Sequence, residues 1–186
     1  ASGVKILNNC VVEKLNDHPS SVEIKTNHFT CSANKVLVAT NGFASQLGIT
    51  QVTPARAQVL ITSPIDNLHI KGTFHLDKGY YYFRNIDNRI LLGGGRNLDF
   101  KSEETTALGQ TELVQQKLEE MLREIILPDT HFEISHRWSG IMGVGPQKKS
   151  IIKPISNNVF CGVRLGGMGV AIGSQVGTAL ADLLKQ

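Results

Sequence analysis

The N-terminal part of the chain carries short apolar runs separated by polar turns, a pattern that predicts strands. The predicted strands are residues 4–7, 11–15 and 22–25, with a turn at residues 16–19. A longer apolar run at residues 34–39 is typical of a strand covered on both faces. It ends in Thr40-Asn41-Gly42, which predicts a tight turn because these small residues permit one.

A second region begins near residue 53 and continues the strand-forming pattern. Its predicted strands, which are rich in β-branched or aromatic residues, are residues 58–62, 80–84, 89–92 and 132–141. The polar segment 85–88 joins two of them as an antiparallel hairpin. Two shorter strands are expected at residues 151–152 and 159–160.

Two segments have helical spacing instead. Residues 110–127 form one predicted helix, which Pro128 ends. Its apolar residues follow each other by steps of four, three and four and so lie on one face: Val114, Leu118, Met121 and Ile125. The final helix is expected to bury a similar stripe: Ile172, Val176, Leu180 and Leu183 or Leu184. The pattern therefore predicts an α+β fold, a mostly antiparallel sheet with one long helix, flanked at both chain ends by pieces of a different unit.

Composition excludes several function classes. The chain has 186 residues and a net charge of +3, and no basic run interleaved with aromatic residues points to nucleic acid. Its apolar runs are too short for a membrane span, and its histidines lack metal-ligand spacing. The three cysteines fit reduced thiols, so we expect a cytoplasmic protein. The expected partner is a small molecule, with no nucleic acid and no membrane span. Since the chain opens on Ala-Ser-Gly, we expect a fragment of something longer.

The most informative segment is the glycine-rich one before the last helix. The strand at residues 159–161 leads to Gly166-Gly167-Met168-Gly169-Val170, where glycines permit close ligand approach and a helix start offers unpaired N–H groups. The spacing Gly167-x-Gly169-x-x-x-Gly173 imitates a dinucleotide fingerprint. An NADP-binding domain is therefore one alternative, although the further strand and acidic residue of that fingerprint do not follow. A non-enzymatic sheet that binds a partner is another.

Taken together, four segments resemble the C-terminal half of the FAD-dependent oxidoreductases related to D-amino-acid oxidase, glycine oxidase and sarcosine oxidase. Residues 3–15 are similar to the family's adenine-contacting strands, and residues 36–42 to its "ATG" turn beside the nucleotide. Residues 137–142 resemble its W-x-G strand beside the isoalloxazine, and residues 166–181 its terminal glycine loop and helix.

The resemblance implies non-covalent FAD, since no cysteine lies near the W-x-G strand. The implied cofactor-binding residues are Val12, Ala39, Thr40, Gly42, Gly140, Gly166, Gly167, Met168, Gly169 and Val170. It also implies a partial, Rossmann-like FAD-binding domain at residues 1–50, a substrate domain at 51–135 and a return into the first domain at 136–186. The family's N-terminal GxGxxG unit is absent, so this chain alone is expected neither to hold FAD tightly nor to turn over.

The implied reaction is oxidation of a C–N bond in an amine or amino-acid-like small molecule by hydride transfer to flavin. Relatives anchor a substrate carboxylate with arginine, but the two corresponding positions here are Met142 and Gly167. Possible replacements are Arg56, Arg96, Lys148, Lys149 and Arg164, of which Arg96 and Arg164 are preferred. Tyr82, in the cluster Tyr80-Tyr81-Tyr82, lines either a substrate pocket or ordinary packing.

Overall fold

A computed structural model describes residues 3–185. Within them the strands are β1 (Val12–Asp17), β2 (Val22–Thr26), β3 (Thr30–Ala33), β4 (Val36–Val38), β5 (Thr53–Thr62), β6 (Thr73–Leu76), β7 (Tyr81–Ile86), β8 (Arg89–Gly94), β9 (Ile134–Val144), β10 (Ile151–Pro154) and β11 (Val159–Val163). The α-helices are α1 (Glu112–Met121) and α2 (Gly169–Asp182). Shorter helical segments are a π-helix at Leu122–Ile126 and 3₁₀ turns at Asn41–Leu47, Asp77–Gly79, Arg96–Leu98 and Leu183–Lys185.

The chain divides into two compact units. Unit 1 comprises Ala1–Thr53 and Gly143–Gln186, and unit 2 comprises Pro54–Met142. The chain passes from unit 1 to unit 2 between Thr53 and Pro54 and returns between Met142 and Gly143. The fold is α+β with mostly antiparallel sheets and few helices, as the sequence predicts.

Unit 1 contains two three-stranded sheets. Strands β1, β2 and β3 form an antiparallel meander. In the other sheet β11 lies between β10 and β4, antiparallel to the first and parallel to the second, with Cys161 opposite Val38. Because parallel strands point the same way, the chain leaves β4 and β11 at the same edge of the sheet. The buried core of this unit is Val22, Val38, Ala44, Ile49, Val52, Ile151, Val159, Cys161 and Val163.

Unit 2 is a five-stranded sheet in the order β6-β7-β8-β5-β9 that packs one face on α1. The β7–β8 hairpin turns through Asp87 and Asn88, both with positive φ, as a two-residue turn between twisted strands requires. The core between sheet and helix includes Leu60, Tyr81, Phe83, Ile90, Leu92, Val114, Leu118, Met121 and Leu122.

The long helix differs from prediction at its C-terminal end. Val114, Leu118 and Met121 are buried as expected, but Ile125 is 57% exposed, so its predicted place in the buried stripe is wrong. The cause is the π-helical turn that follows α1, because its wider turn shifts the side-chain phase. Ile126 is buried instead.

Two strand predictions are corrected, and two strands are additional. Residues 4–7 form no strand, and Val4, Ile6 and Leu7 are exposed, since no strand in residues 3–185 pairs with this segment. Strand β4 is not covered on both faces: Val38 is buried, whereas Leu37, which alternation places on the opposite face, is 38% exposed. Strands β3 and β6 are additional to those predicted. No helix within residues 3–185 has the length and apolarity to cross a membrane.

Candidate functional site

Two of the predicted ligand-binding segments meet at one edge of the β10-β11-β4 sheet. Residues 39–42 follow β4, and the glycine loop, residues 164–168, follows β11. Their strands are adjacent and parallel, so both segments emerge at the carboxyl ends of neighbouring strands. In α/β sheets this edge is where ligands bind.

Asn41 joins these segments directly. Its side-chain Oδ1 accepts a hydrogen bond from the backbone N–H of Leu165 at 3.0 Å. The next N–H, that of Gly166, donates to the carbonyl oxygen of Gly143 at 3.0 Å. A Cβ at Gly143 would lie 2.6 Å from Asn41 Oδ1, so only glycine fits beside the asparagine there. Sequence reasoning missed both Asn41 and Gly143 because their roles depend on packing between distant segments.

The glycine loop leads into an uncapped helix start. Gly166 and Gly167 have φ of +59° and +84°, in the region that favours glycine. Helix α2 begins at Gly169, and its N-cap residue Met168 makes no side-chain capping bond. Val170, in the first turn, is fully exposed. The first amides of α2 therefore lie at an exposed surface of unit 1, where they suit an electron-rich ligand atom.

The other predicted cofactor residues of unit 1 differ in exposure. Ala39 and Thr40 are exposed, whereas Gly42 is buried in the 3₁₀ turn that follows β4. Val12 begins β1 and is half-buried, and the β1–β2 register shifts between Val12 and Lys14. Such a bulge bends a strand and leaves backbone groups unpaired.

Arg164 is also in unit 1 and is engaged by the backbone. Its Nε donates to the carbonyl oxygen of Lys149 at 2.8 Å, and Nη1 lies 3.5 Å from that of Gln51. The aliphatic stem lies against Gly145, where an added Cβ would be 2.7 Å from Cδ. Arg164 thus fastens the start of the glycine loop to two other loops.

The remaining predicted residues belong to unit 2, where Gly140 and Met142 lie on β9. Arg137 fixes the orientation of this strand, because its guanidinium donates to Gln115 and Glu119 of α1, each at 2.6 Å. Side chains alternate along a strand, so positions 138, 140 and 142 face away from α1. Met142 is half-buried and Gly140 exposed on that second face.

Tyr82 lies on the same second face of the sheet. Tyr81 is in the core against α1, so alternation along β7 places Tyr82 opposite. The Tyr82 ring covers its cross-strand neighbour Gly93, where an added Cβ would be 2.6 Å from the phenol oxygen. Burial raises the pKa of Tyr82, which keeps the phenol protonated at neutral pH.

Arg96 forms a separate aromatic cluster in unit 2. Its guanidinium carbon lies 4.9 Å from the centre of the Phe100 ring, which in turn packs edge-on against Tyr80. Tyr80 precedes β7 and ends a 3₁₀ turn, so it is not part of the alternation that places Tyr82. Cation–π contacts leave guanidinium N–H groups available for an anion.

A buried ion pair in unit 2 was not expected from the sequence. The Glu103 carboxylate, 1% exposed, accepts hydrogen bonds from Arg56 Nε at 2.8 Å and Nη2 at 3.1 Å. Gln58 and Thr111 donate to the same carboxylate at 2.9 and 2.8 Å. Burial raises the pKa of Glu103, but these hydrogen bonds outweigh it and the net pKa is lowered. Arg56, one of the possible substrate anchors, is thus held by Glu103.

The sequence model of the FAD dependent oxidoreductase family matches residues 1–183. No curated protein sequence matches. Within the described residues, no cluster of His, Cys, Asp and Glu side chains forms a metal site.

Solved structures similar to this chain share its fold. They include L-proline dehydrogenase from P. horikoshii, with 22% identity, a TM-score of 0.77 and 98% of this chain covered. Iminodiacetate oxidase from Chelativorans sp. BNC1 has 19% identity, a TM-score of 0.75 and 96% coverage. Glycine oxidase from Geobacillus kaustophilus has 16% identity, a TM-score of 0.75 and 95% coverage. This chain covers 51%, 49% and 48% of those three chains, so it spans about half their length.

Proposed function

Because the chain belongs to the family of FAD dependent oxidoreductases, we propose that unit 1 supplies one wall of a flavin site in a longer enzyme. That enzyme oxidises a C–N bond of an amine or amino-acid-like small molecule. The observation that carries this proposal is the meeting of the Thr40–Gly42 turn with the glycine loop at the carboxyl ends of β4 and β11.

The residues present fit FAD. The uncapped amides at the start of α2 suit the electron-rich edge of the flavin ring, and an added Cβ at Gly166 would meet no atom within 4 Å. The proposed contacts are the ten residues named in the sequence analysis, with Val12 contributing its backbone at the β1 bulge. Bound FAD would accept a hydride from the carbon that carries the amine. No covalent attachment is proposed.

We assign unit 1 to the Rossmann-like FAD-binding domain and unit 2 to the substrate domain. On the substrate side we retain Tyr82, Met142, Arg96 and Arg164. Of the two arginines Arg96 is the better carboxylate anchor, because the Nε of Arg164 already donates a hydrogen bond to a backbone carbonyl oxygen. A carboxylate bound by the guanidinium fork fixes the substrate in one orientation. Tyr82 and Met142 supply apolar surface and, at the phenol, one neutral donor.

The chain alone is proposed to hold FAD weakly and to lack turnover. The chain covers about half the length of the related structures. The apolar side chains of Val4, Ile6 and Leu7 are exposed. Such exposed apolar residues in one segment are typical of a surface that another part of a protein covers. A cytoplasmic location is proposed on the three unpaired cysteines.

The test is expression of the whole reading frame to which Ala1–Gln186 belongs, beside the chain itself. The whole protein should purify yellow, with flavin near stoichiometric after desalting, whereas the chain should purify colourless. Anaerobic addition of primary and secondary amines, with and without a carboxylate, should bleach the flavin band for at least one class. A colourless whole protein that takes up no FAD would refute the flavin assignment, and a yellow one that no amine bleaches would refute the C–N chemistry.

A further inference from the structure

We propose that Asn41 is a positioning residue: it fixes the glycine loop, residues 164–168, in the shape that presents the first amides of α2 before any flavin binds. The inference rests on the proposed function, since it concerns the wall of that same site. Asn41 itself need not touch the flavin.

The glycine loop has an unusual backbone for so short a segment. Arg164, Gly166 and Gly167 have φ of +64°, +59° and +84°, all in the left-handed region. Arg164 is not a glycine, so its conformation costs energy that surrounding contacts must offset. A loop of this kind keeps one shape only if specific bonds hold it.

Two backbone N–H groups inside the loop bind other segments, and a third, that of Met168, donates within the loop to the carbonyl oxygen of Leu165 at 2.9 Å. Leu165 donates to Asn41 Oδ1, and Gly166 donates to the carbonyl oxygen of Gly143, both at 3.0 Å. Asn41 and Gly143 are in turn packed together, since a Cβ on Gly143 would also lie 3.1 Å from the Asn41 carbonyl carbon. One side chain therefore links the segment after β4, the end of β9 and the loop after β11.

Asparagine suits position 41 for two separate reasons. Its φ is +47°, a conformation in which asparagine, aspartate and glycine are favoured over other residues. Its side chain also provides the acceptor for Leu165. Glycine would keep only the first property and aspartate would keep both, so the two properties can be separated by substitution.

Preorganised donors are worth more to a ligand than donors that must be ordered on binding. Loss of the Asn41 acceptor leaves the loop held only by the bonds of Gly166, Met168 and Arg164, so the first amides of α2 are positioned less firmly even though none is removed. The expected consequence is weaker flavin binding with little change in the rest of unit 1.

The first experiment measures amide hydrogen exchange in the chain without FAD. In Asn41→Gly, the amides of Leu165 and Gly166 should exchange about tenfold faster than in the unsubstituted chain, as expected for loss of one hydrogen bond. In Asn41→Asp the slow exchange should return. The matched control is Asn88→Gly, since Asn88 has φ of +57° in an exposed hairpin turn. Unchanged exchange at residues 165 and 166 in Asn41→Gly would overturn the inference.

The second experiment measures FAD affinity in the whole protein, a readout that a purely structural role would leave unmoved. Asn41→Gly should weaken FAD binding about tenfold while the variant remains folded at the temperature of the titration, and Asn88→Gly should leave FAD binding unchanged. Equal FAD affinity in both variants would overturn the positioning role. A whole protein that binds no FAD even without substitution would instead refute the proposed function, whereas the exchange result on the chain still decides whether Asn41 holds the loop.

Discussion

The ion pair between Arg56 and Glu103 gives the most quantitative prediction. Both side chains are almost completely buried, at 10% and 1% exposure, and four hydrogen bonds converge on the carboxylate. Replacing Glu103 by alanine leaves the Arg56 guanidinium buried without its counter-ion. Removing one partner of a buried pair typically costs about 3–5 kcal/mol, because an uncompensated charge remains.

We therefore expect Glu103→Ala to lower the free energy of unfolding by about 3–5 kcal/mol, measured by urea denaturation of the chain. The matched control is Glu104→Ala, one residue away and exposed, which should change stability by no more than about 0.5 kcal/mol. The double variant Arg56→Met with Glu103→Leu should recover part of the loss, because it removes both charges but leaves Gln58 and Thr111 without their shared acceptor. A loss below about 1 kcal/mol for Glu103→Ala would refute this reasoning.

The pH dependence follows from the same carboxylate. The pKa of Glu103 is lowered in the folded chain, so its stabilisation is present above the unfolded-state value of about 4.3. It is lost as the pH falls below that value and through the folded pKa. The stability difference between Glu103→Gln and the unsubstituted chain should therefore shrink on acidification below about pH 4. A difference independent of pH across this range would contradict the assignment.

Three further predictions concern packing and reactivity. Leu118→Ala should lower the free energy of unfolding, measured by urea denaturation, by about 2–5 kcal/mol, whereas Ile125→Ala should change it by no more than about 0.5 kcal/mol. Equal losses in the two variants would contradict the π-helical phase shift. Burial raises the pKa of the Cys161 thiol, so a thiol reagent at pH 8 should modify the other two cysteines first; simultaneous modification would argue against a buried Cys161. Gly94→Ala should disrupt the hairpin, since its Cβ would lie 2.0 Å from a backbone oxygen. Gly109 has a similar φ but lies in open space, so Gly109→Ala should lower the melting temperature, measured by circular dichroism, far less than Gly94→Ala does.

The local pattern predicts most elements but not their ends or exposure. The alternation and turn residues around 80–92 predict the β7–β8 hairpin, because its register depends on adjacent residues. The phase of Ile125 could not be predicted, because the apolar spacing of residues 114–125 does not indicate a π-helical turn. The pattern of residues 4–7 predicts a strand, but a strand forms only where another strand pairs with it, and these residues are exposed.

In the candidate site, too, local features could be predicted and contacts between distant residues could not. The glycines at 166, 167 and 169 predict a ligand-facing helix start, because a turn without a ligand rarely needs three glycines in four positions; the helix start is present at Gly169, and the ligand stays a prediction. Asn41 and Gly143 could not be found that way, since their contacts join residues far apart in the chain. The Arg56–Glu103 pair likewise spans distant residues, and only its burial distinguishes Arg56 from a surface arginine.

The central claim is that the amides opening α2 face the flavin, beside the turn that follows β4. The most direct measurement is a crystal structure of the whole protein with FAD bound. We predict the flavin ring edge within hydrogen-bond distance of at least one backbone N–H among those of Gly167, Gly169 and Val170, since the N–H of Met168 already donates to Leu165. A flavin bound elsewhere, with those amides covered by protein side chains, would contradict the account.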